Sequence, residues 1–491
     1  GSDNGTYAAG SSNVTTIRTG LTTSATRINK KWKVVETGGD VGNVFVGIPV
    51  AAFSSFSKLA TEEYALIVSD NSAFNDSDII DVIPLKSDGN GNLQTWYDFD
   101  GTKYFTFGKV PKVESKELVS IGASNFLVGE YALNLNSGSF TIGFWLRNDG
   151  TVAANKTIMS KGVNLELRLN SANKIEALWD GSLKFVSNTV VADGKWHNIV
   201  AVYYLGSADL YIDGVLDSST FNLQNPTPNY SRYSVGALYV NKSDIRTPFY
   251  GEIDEIHIWD MALTSNQINY LMNQEINKFI DNTANGTILP HNISNNEVKT
   301  IPWATLKAYY DFNTFYGTTV EGLTDDQNFL RIKYLNKNKT ITGIQTAPLP
   351  YETIADGAWN DSSIWKNGAI QTIPNAVSSI NNDTKIEVSN YLKLDGLIDL
   401  TGQSQLVQTL NSELDVSSIG FIKRDQQGTV NKYNYNYWSS PVGPINGTVI
   451  NNNYTVDGVF KNGTTTTPIA INWVSGYDGS ASPLSLARYW L

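Results

Sequence analysis

Gly138-Ser139-Phe140-Thr141-Ile142-Gly143-Phe144-Trp145-Leu146 repeats with period two. Phe140, Ile142, Phe144 and Leu146 fall on one side of an extended chain, and Thr141, Gly143 and Trp145 on the other, which is the pattern of a sheet strand with a buried face. Trp196 to Tyr204 repeats the beat. Leu210-Tyr211-Ile212-Asp213-Gly214-Val215-Leu216 adds a third strand pair around an Asp-Gly hairpin turn. Long strands joined by sharp turns over residues 119–276 predict a two-sheet sandwich. One helix closes it, with Ser265 as N-cap and Ile268, Leu271, Met272 and Ile276 at helical spacing.

Working outward, residues 15–108 hold shorter runs: Lys31-Trp32-Lys33-Val34-Val35, Val44 to Ile48, Tyr64 to Val68 and Tyr104 to Phe107. Each is β-branched or aromatic and bounded by Gly, Asp, Asn or Ser, the signature of a small antiparallel sandwich. Downstream, residues 277–302 read as a linker, and Ala308 to Phe312 and Phe329 to Tyr334 as strands. From Ile386 to Lys423 very short strands recur every six to nine residues, which predicts a β-solenoid or a flat sandwich. The fold class is therefore all-β and multi-domain. The expected division is 1–110 for the small sandwich, 115–280 for the central sandwich, 281–302 for the linker and 303–491 for a truncated β-rich C-terminal module.

Composition agrees with a folded β protein and removes several function classes. The 491 residues include 36 Lys+Arg and 47 Asp+Glu, a net charge of −11, with 17% charged and 11% aromatic residues. The acidic balance, without basic runs, argues against nucleic acid and anionic membrane surfaces as partners. No apolar stretch is long enough for membrane insertion as a helix. The chain has no cysteine, which removes disulfides, thiolate nucleophiles and sulfur-ligated zinc. Gly1-Ser2 without Met reads as a cloning remnant, and the ending Arg488-Tyr489-Trp490-Leu491 as a cut inside an apolar run.

Four motifs carry a resemblance: Gly138 to Trp145, Asp193-Gly194-Lys195-Trp196-His197-Asn198-Ile199-Val200, Leu210 to Gly214, and Gly251-Glu252-Ile253-Asp254-Glu255-Ile256-His257-Ile258-Trp259 before Ala262-Leu263. Together they resemble the laminin-G-like, concanavalin A-like jelly-roll family, whose members bind sugars, proteins or lipids or serve as spacers. The flanks, through Arg27 to Val34, Tyr97 to Phe105, Gln345 to Pro350, Asp356-Gly357-Ala358-Trp359, Arg424 to Gly428 and Tyr437 to Pro441, resemble very large secreted surface proteins of gliding Bacteroidota. That resemblance implies a gliding-motility adhesin, located extracellularly at the cell surface. It also implies export by the type IX secretion machinery through a C-terminal region missing here.

Glu252-Ile253-Asp254-Glu255 resembles the Glu-x-Asp-x-Glu of laminarinase-like jelly-roll enzymes. However, strand alternation puts Glu252 and Asp254 on one face with Ile256 next, and Glu255 on the other, so the catalytic set is incomplete and no enzyme is expected. Asp254 either fixes a strand end by hydrogen bonding or ligates calcium, as corresponding acids do in some relatives. His197 reads as a turn residue. Asp88-Gly89-Asn90-Gly91-Asn92 starts like an EF-hand loop but fails at its sixth and twelfth positions, so it is a turn. Asp70, Asp76, Asp78 and Asp81 read as a solvated acidic loop. Tyr230, Tyr233, Tyr239, Asn241 and Tyr250 are the candidate ligand-binding residues, since aromatic faces near Asn and Asp suit a sugar, although alternating Tyr also packs across strands. The expected function is non-catalytic binding of polysaccharide or cell-surface glycan through the jelly roll, with the flanks as stalk. The alternatives are a ligand-free structural spacer and a polysaccharide-degrading enzyme or its accessory module. On this reading residues 115–280 alone retain the binding.

Overall fold

Strand Ser139–Arg147 pairs antiparallel with Trp196–Tyr204 on one side and with Gly251–Trp259 on the other, so three of the quoted motifs lie side by side in one sheet. The computed structural model describes residues 9–16, 23–287 (without 116, 122–124, 131–132, 136–137 and 151–154), 300–334, 342–370 (without 358–360 and 369) and parts of 385–427 and 456–488. Of the motifs quoted above, Ala358-Trp359, Gly428 and Tyr437 to Pro441 lie outside these residues, as do 288–299 of the expected linker. The described chain is all-β with two short α-helices and divides into two units, 1–291 with 298–349, and 350–491 with 292–297.

In the first unit the sheet just named runs from Val215–Thr220 through Ser207–Ile212 to the central three strands, then to Glu117–Ile121 and Thr342–Ile344. Facing it, Asn125–Gly129, Tyr233–Val235, Lys156–Lys161, Leu165–Leu169, Lys174–Trp179 and Ser182–Val190 form the second layer. The apolar sides of the two layers, including Phe140, Ile142, Phe144, Leu165, Leu167, Ile175, Ile199, Leu210, Ile253 and Ile256, make one core. Ala308, Tyr310, Phe312, Phe315, Val320, Leu330 and Ile332 belong to the same core. Strand Leu306–Tyr310 pairs with Gly251–Trp259, and Leu330–Tyr334 with Asn125–Gly129. Residues 306–334, grouped above with the C-terminal module by sequence texture, are thus woven into both sandwich layers.

The N-terminal runs form strands as expected, at Trp32–Val35, Asn43–Pro49, Glu62–Ser69 and Thr102–Glu114. The last of these continues into the second layer by pairing with Thr314–Tyr316. Asp81 departs from the reading as a solvated loop residue. It is buried and accepts the Tyr97 hydroxyl at 2.7 Å, since its strand Ile79–Pro84 is covered on both faces. Asp88 does close a turn, accepting the amides of Asn90 and Asn92 at 2.7 and 3.0 Å. The closing helix is Ser265–Leu271, capped one residue earlier than expected by Thr264, whose hydroxyl accepts Gln267 N–H. Ile276 has already left it for a short strand, Ile276–Lys278, which pairs with Thr283–Gly286.

In the second unit, Lys385–Val388 stacks parallel on Gln405–Gln408, Tyr391–Leu392 on Glu413–Leu414, and Leu397–Leu400 on Phe421–Arg424. Parallel, in-register stacking of consecutive coils is solenoid geometry, with Leu392, Leu394, Ile398 and Leu400 inside.

Candidate functional site

Leu165, Leu167 and Leu169 point into the core, so Glu166 and Arg168 stand on the outer face of the second layer. The neighbouring strand does the same: Ile175, Ala177 and Trp179 are inside, and Glu176, the cross-strand partner of Arg168, is outside. These side chains form a connected polar surface. Arg168 Nε donates to Glu176 Oε2 at 2.8 Å and Asn170 Nδ2 to Glu176 Oε1 at 3.0 Å. Thr157 donates to Glu166 Oε1 at 2.5 Å and lies 2.5 Å from the Thr247 hydroxyl, while Arg168 also reaches Glu166 Oε2 at 3.7 Å. A guanidinium between two carboxylates, with amide and hydroxyl groups at the edges, offers donors and acceptors at fixed positions, which is what recognition of hydroxyls requires. None of these residues was singled out from sequence. Their one signal was the alternation of long polar side chains in Leu165 to Leu169, which also describes any solvent-facing strand.

The residues that were singled out do not converge. Tyr230 is 94% exposed, on a loop held by Lys161, whose ammonium donates to Asn229 O, Asn229 Oδ1 and Ser231 O at 2.8, 3.0 and 2.8 Å. Burial pulls that lysine down to about 8. Tyr233 is a core residue, its hydroxyl against that of Tyr310, and presents no face to a ligand. Tyr239 is half-buried over Phe126 at 5.8 Å. Asn241 accepts Ser243 N–H at 2.9 Å within a turn. Tyr250 is 49% exposed, beside the Thr157–Pro248 bridge. Lys161 and Thr157 are opposite ends of one strand, so Tyr230 and Tyr250 flank the second layer rather than forming one patch.

The acidic motif is buried, for a reason alternation cannot foresee. Gly143 pairs with His257 but Trp145 with Asp254, so Glu255 and Ile256 together oppose Phe144 in a β-bulge, with Glu255 at φ 50. The extra residue turns Glu255 onto the same side as Asp254, contrary to the strict alternation expected. Both lie under the chain that follows the strand, where Tyr309 donates to Glu255 Oε2 at 2.8 Å and Trp145 Nε1 to Met272 O at 2.8 Å. Asp254 Oδ2 and Glu255 Oε1 are buried and accept no hydrogen bond. Burial, with Asp311 and Glu275 nearby, drives both carboxyls well above their usual range, and the Asp254 carboxyl raises Glu255 further. Glu252, the third acid, pairs with Arg147. A glycosidase pair open to substrate is therefore not formed by this motif.

His257 is also buried, which lowers it to about 4, and its Nδ1 accepts Trp259 Nε1–H at 2.7 Å. Its ring occupies the space where a Gly143 side chain would begin, 2.1 Å from an ideal Cβ. His197 is clasped by Asp213 at 2.7 Å and Asp193 at 3.2 Å. Burial opposes its charge, but the Asp213 hydrogen bond prevails and raises it. With a carboxylate on each ring nitrogen it locks the turn instead of activating a nucleophile.

With this geometry in view, residues 120–269 match the family described as the concanavalin A-like lectin/glucanases superfamily (Laminin_G_3). That stretch is a concanavalin A-like domain. Residues 1–101 match a domain of unknown function, DUF8202. No curated protein matches the chain. Among solved structures, a Bacteroides ovatus protein described as carbohydrate-binding is 12% identical, covering 64% of this chain and 94% of its own at a TM-score of 0.33. The binding domain of botulinum neurotoxin DC, in complex with SialylT, is 17% identical over 34% of this chain and 45% of its own, TM-score 0.26. Trypanosoma rangeli sialidase is 12% identical over 31% and 26%, TM-score 0.26. Outside the concanavalin A-like domain as within it, no helix among the described residues is long and apolar enough to cross a membrane.

Proposed function

We propose that the protein is a non-catalytic glycan-binding segment of an extracellular, cell-surface adhesin, which holds polysaccharide on the outer face of the second layer of its concanavalin A-like domain. The observation that carries this reading is the Thr157–Glu166–Arg168–Glu176 network, a fixed array of donors and acceptors on the outer side of the layer, where Thr157 and Glu166 are buried and Arg168 and Glu176 are partly exposed. Weak contacts of this kind gain strength when many copies engage one surface. Export by the type IX machinery, through a region outside this chain, belongs to the same proposal.

Calcium at Asp254 is part of it as well. Asp254 Oδ2 and Glu255 Oε1, buried and without a hydrogen bond, fit the demand of a hard cation for carboxylate oxygen, and Asp311 and Glu275 add negative charge around them. When bound, the ion would supply charge neutralisation. The protein's part is to keep the bulged strand and the covering chain together around the two oxygens.

The test is retention of the whole protein on a polysaccharide and glycan panel, in calcium and in EDTA. Wild type is expected to retain at least one glycan, and Arg168→Ala to lose about tenfold in affinity, the worth of a charged hydrogen bond. Tyr230→Ala should change little. No retention in either buffer would sink the reading in favour of a spacer.

A further inference from the structure

Lys242 is the tip of a hairpin in the concanavalin A-like domain, between strands Leu238–Asn241 and Asp244–Arg246, yet its ammonium lies in the N-terminal module. There it is 2.9 Å from Asp98 Oδ1, 2.9 Å from Asp40 Oδ1 and 3.3 Å from Glu36 Oε2, and it donates to the Phe99 carbonyl at 2.8 Å. One oxygen from each of the three carboxylates lies within 4.8 Å of the others. That is about the widest separation two ligands of a single small cation can have, so the cage has the dimensions of a cation site, filled by a side chain. Burial works against the charge on Lys242, but the hydrogen bonds it donates to Asp98 and Asp40 outweigh it and raise the group. The cage is also built without the lysine: Val41 N–H donates to Glu36 at 2.7 Å and Gly42 N–H to Asp40 at 2.7 Å.

The hairpin leads from this cage to the candidate glycan face. Tyr239 and Ile245 pack on Phe126, Val128 and Ala237, on the outer side of the second layer. The next residue after Arg246 is Thr247, whose hydroxyl lies 2.5 Å from that of Thr157. Thr247 has φ 45, a left-handed conformation that a β-branched residue adopts only when its surroundings impose it. Something must hold both ends of this short segment. Strand pairing and the Thr157–Pro248 bridge hold one end, and Lys242 holds the other.

We propose that Lys242 is a positioning residue: by anchoring the hairpin in the carboxylate cage of residues 36–98, it sets Thr247 against the polar face, and so makes the N-terminal module a working part of the binding unit rather than a stalk. The anchoring stands on the geometry alone, and its effect on binding rests on the glycan reading above.

The experiment compares wild type, Lys242→Ala and Lys242→Arg in the full chain, by hydrogen exchange and by affinity for whichever polysaccharide wild type retains. In Lys242→Ala, exchange should rise across 238–247 while Ser139–Arg147 stays protected, and affinity should fall about fivefold, the equivalent of one anchoring interaction. Lys242→Arg keeps the charge and should restore both. Unchanged exchange in Lys242→Ala overturns the anchor. Raised exchange with unchanged affinity overturns its part in binding. If wild type retains no polysaccharide, the glycan reading fails, and the exchange data still decide the anchor.

Discussion

Asp254 and Glu255 make the stability of this protein depend on pH in a direction opposite to that of most acidic residues. Their folded-state pKa values lie above those of the unfolded chain, so from about pH 4 upward the folded form holds protons that the unfolded form has released. Stability therefore falls as pH rises, by up to about 1.4 kcal/mol per pH unit for each retained proton. His257 runs the other way: its folded value is about 4 against an unfolded 6.5, so between these its contribution is lost as pH falls. His257 opposes the two acids only below pH 6.5, and Lys161, lowered to about 8, opposes them only from about pH 8 upward. Thermal unfolding in EDTA should show a midpoint that declines as pH rises above the ordinary carboxylate range, and calcium should flatten the decline by giving the ionised pair a partner. A midpoint that rises with pH in EDTA would contradict the burial of this pair. Asp254 was legible in the sequence as a residue of interest. The role of Glu255 was not, because a bulge changes which face a side chain occupies without leaving a mark in residue order.

Strand Leu330–Tyr334 shows how an element joins parts of the chain far apart in sequence. Arg331 pairs with Glu130 at 3.1 Å, both side chains 4% exposed, and donates to Thr95 Oγ1 at 2.7 Å and to the Trp96 carbonyl. Without Arg331 the buried Glu130 keeps only Lys86, 3.6 Å away, and loses its nearer partner, so Arg331→Ala should cost up to about 3–5 kcal/mol in denaturant unfolding. Replacing Arg331 and Glu130 together by methionine should cost less, because the buried carboxylate goes with the guanidinium and Lys86 still donates to the Asp326 carbonyl. Equal losses in the single and double variants would show that packing, not charge, holds this junction. Short strands of this kind were readable from their β-branched and aromatic runs, and so was the solenoid beat of 386–423. Their partners were not, since pairing between residues 130 and 331 has no local signal.

The whole molecule decides which pieces can stand alone. Residues 115–280, the span of the sequence-level jelly roll, lack Tyr310, Phe312, Phe315, Leu330 and Ile332 of the core and the strands that complete both layers. Expressed alone, that fragment should unfold at a lower temperature than residues 1–349, or fail to give a cooperative transition, and it should lose glycan retention for that reason. A fragment as stable as the longer piece would show that strands 306–334 are ornament. Local pattern alone determined a great deal here: the all-β class, the strand positions, the four jelly-roll motifs and the absence of thiol chemistry, because period-two alternation and turn residues act within a few residues of one another. Only the tertiary structure decided that Tyr233 is core, that Asp254 and Glu255 are buried together, that Arg168 stands between two carboxylates on the outer side of the second layer, and that Lys242 reaches another module. Each of these depends on which distant strand lies alongside, and that is settled by the shared core rather than by any neighbour in the chain.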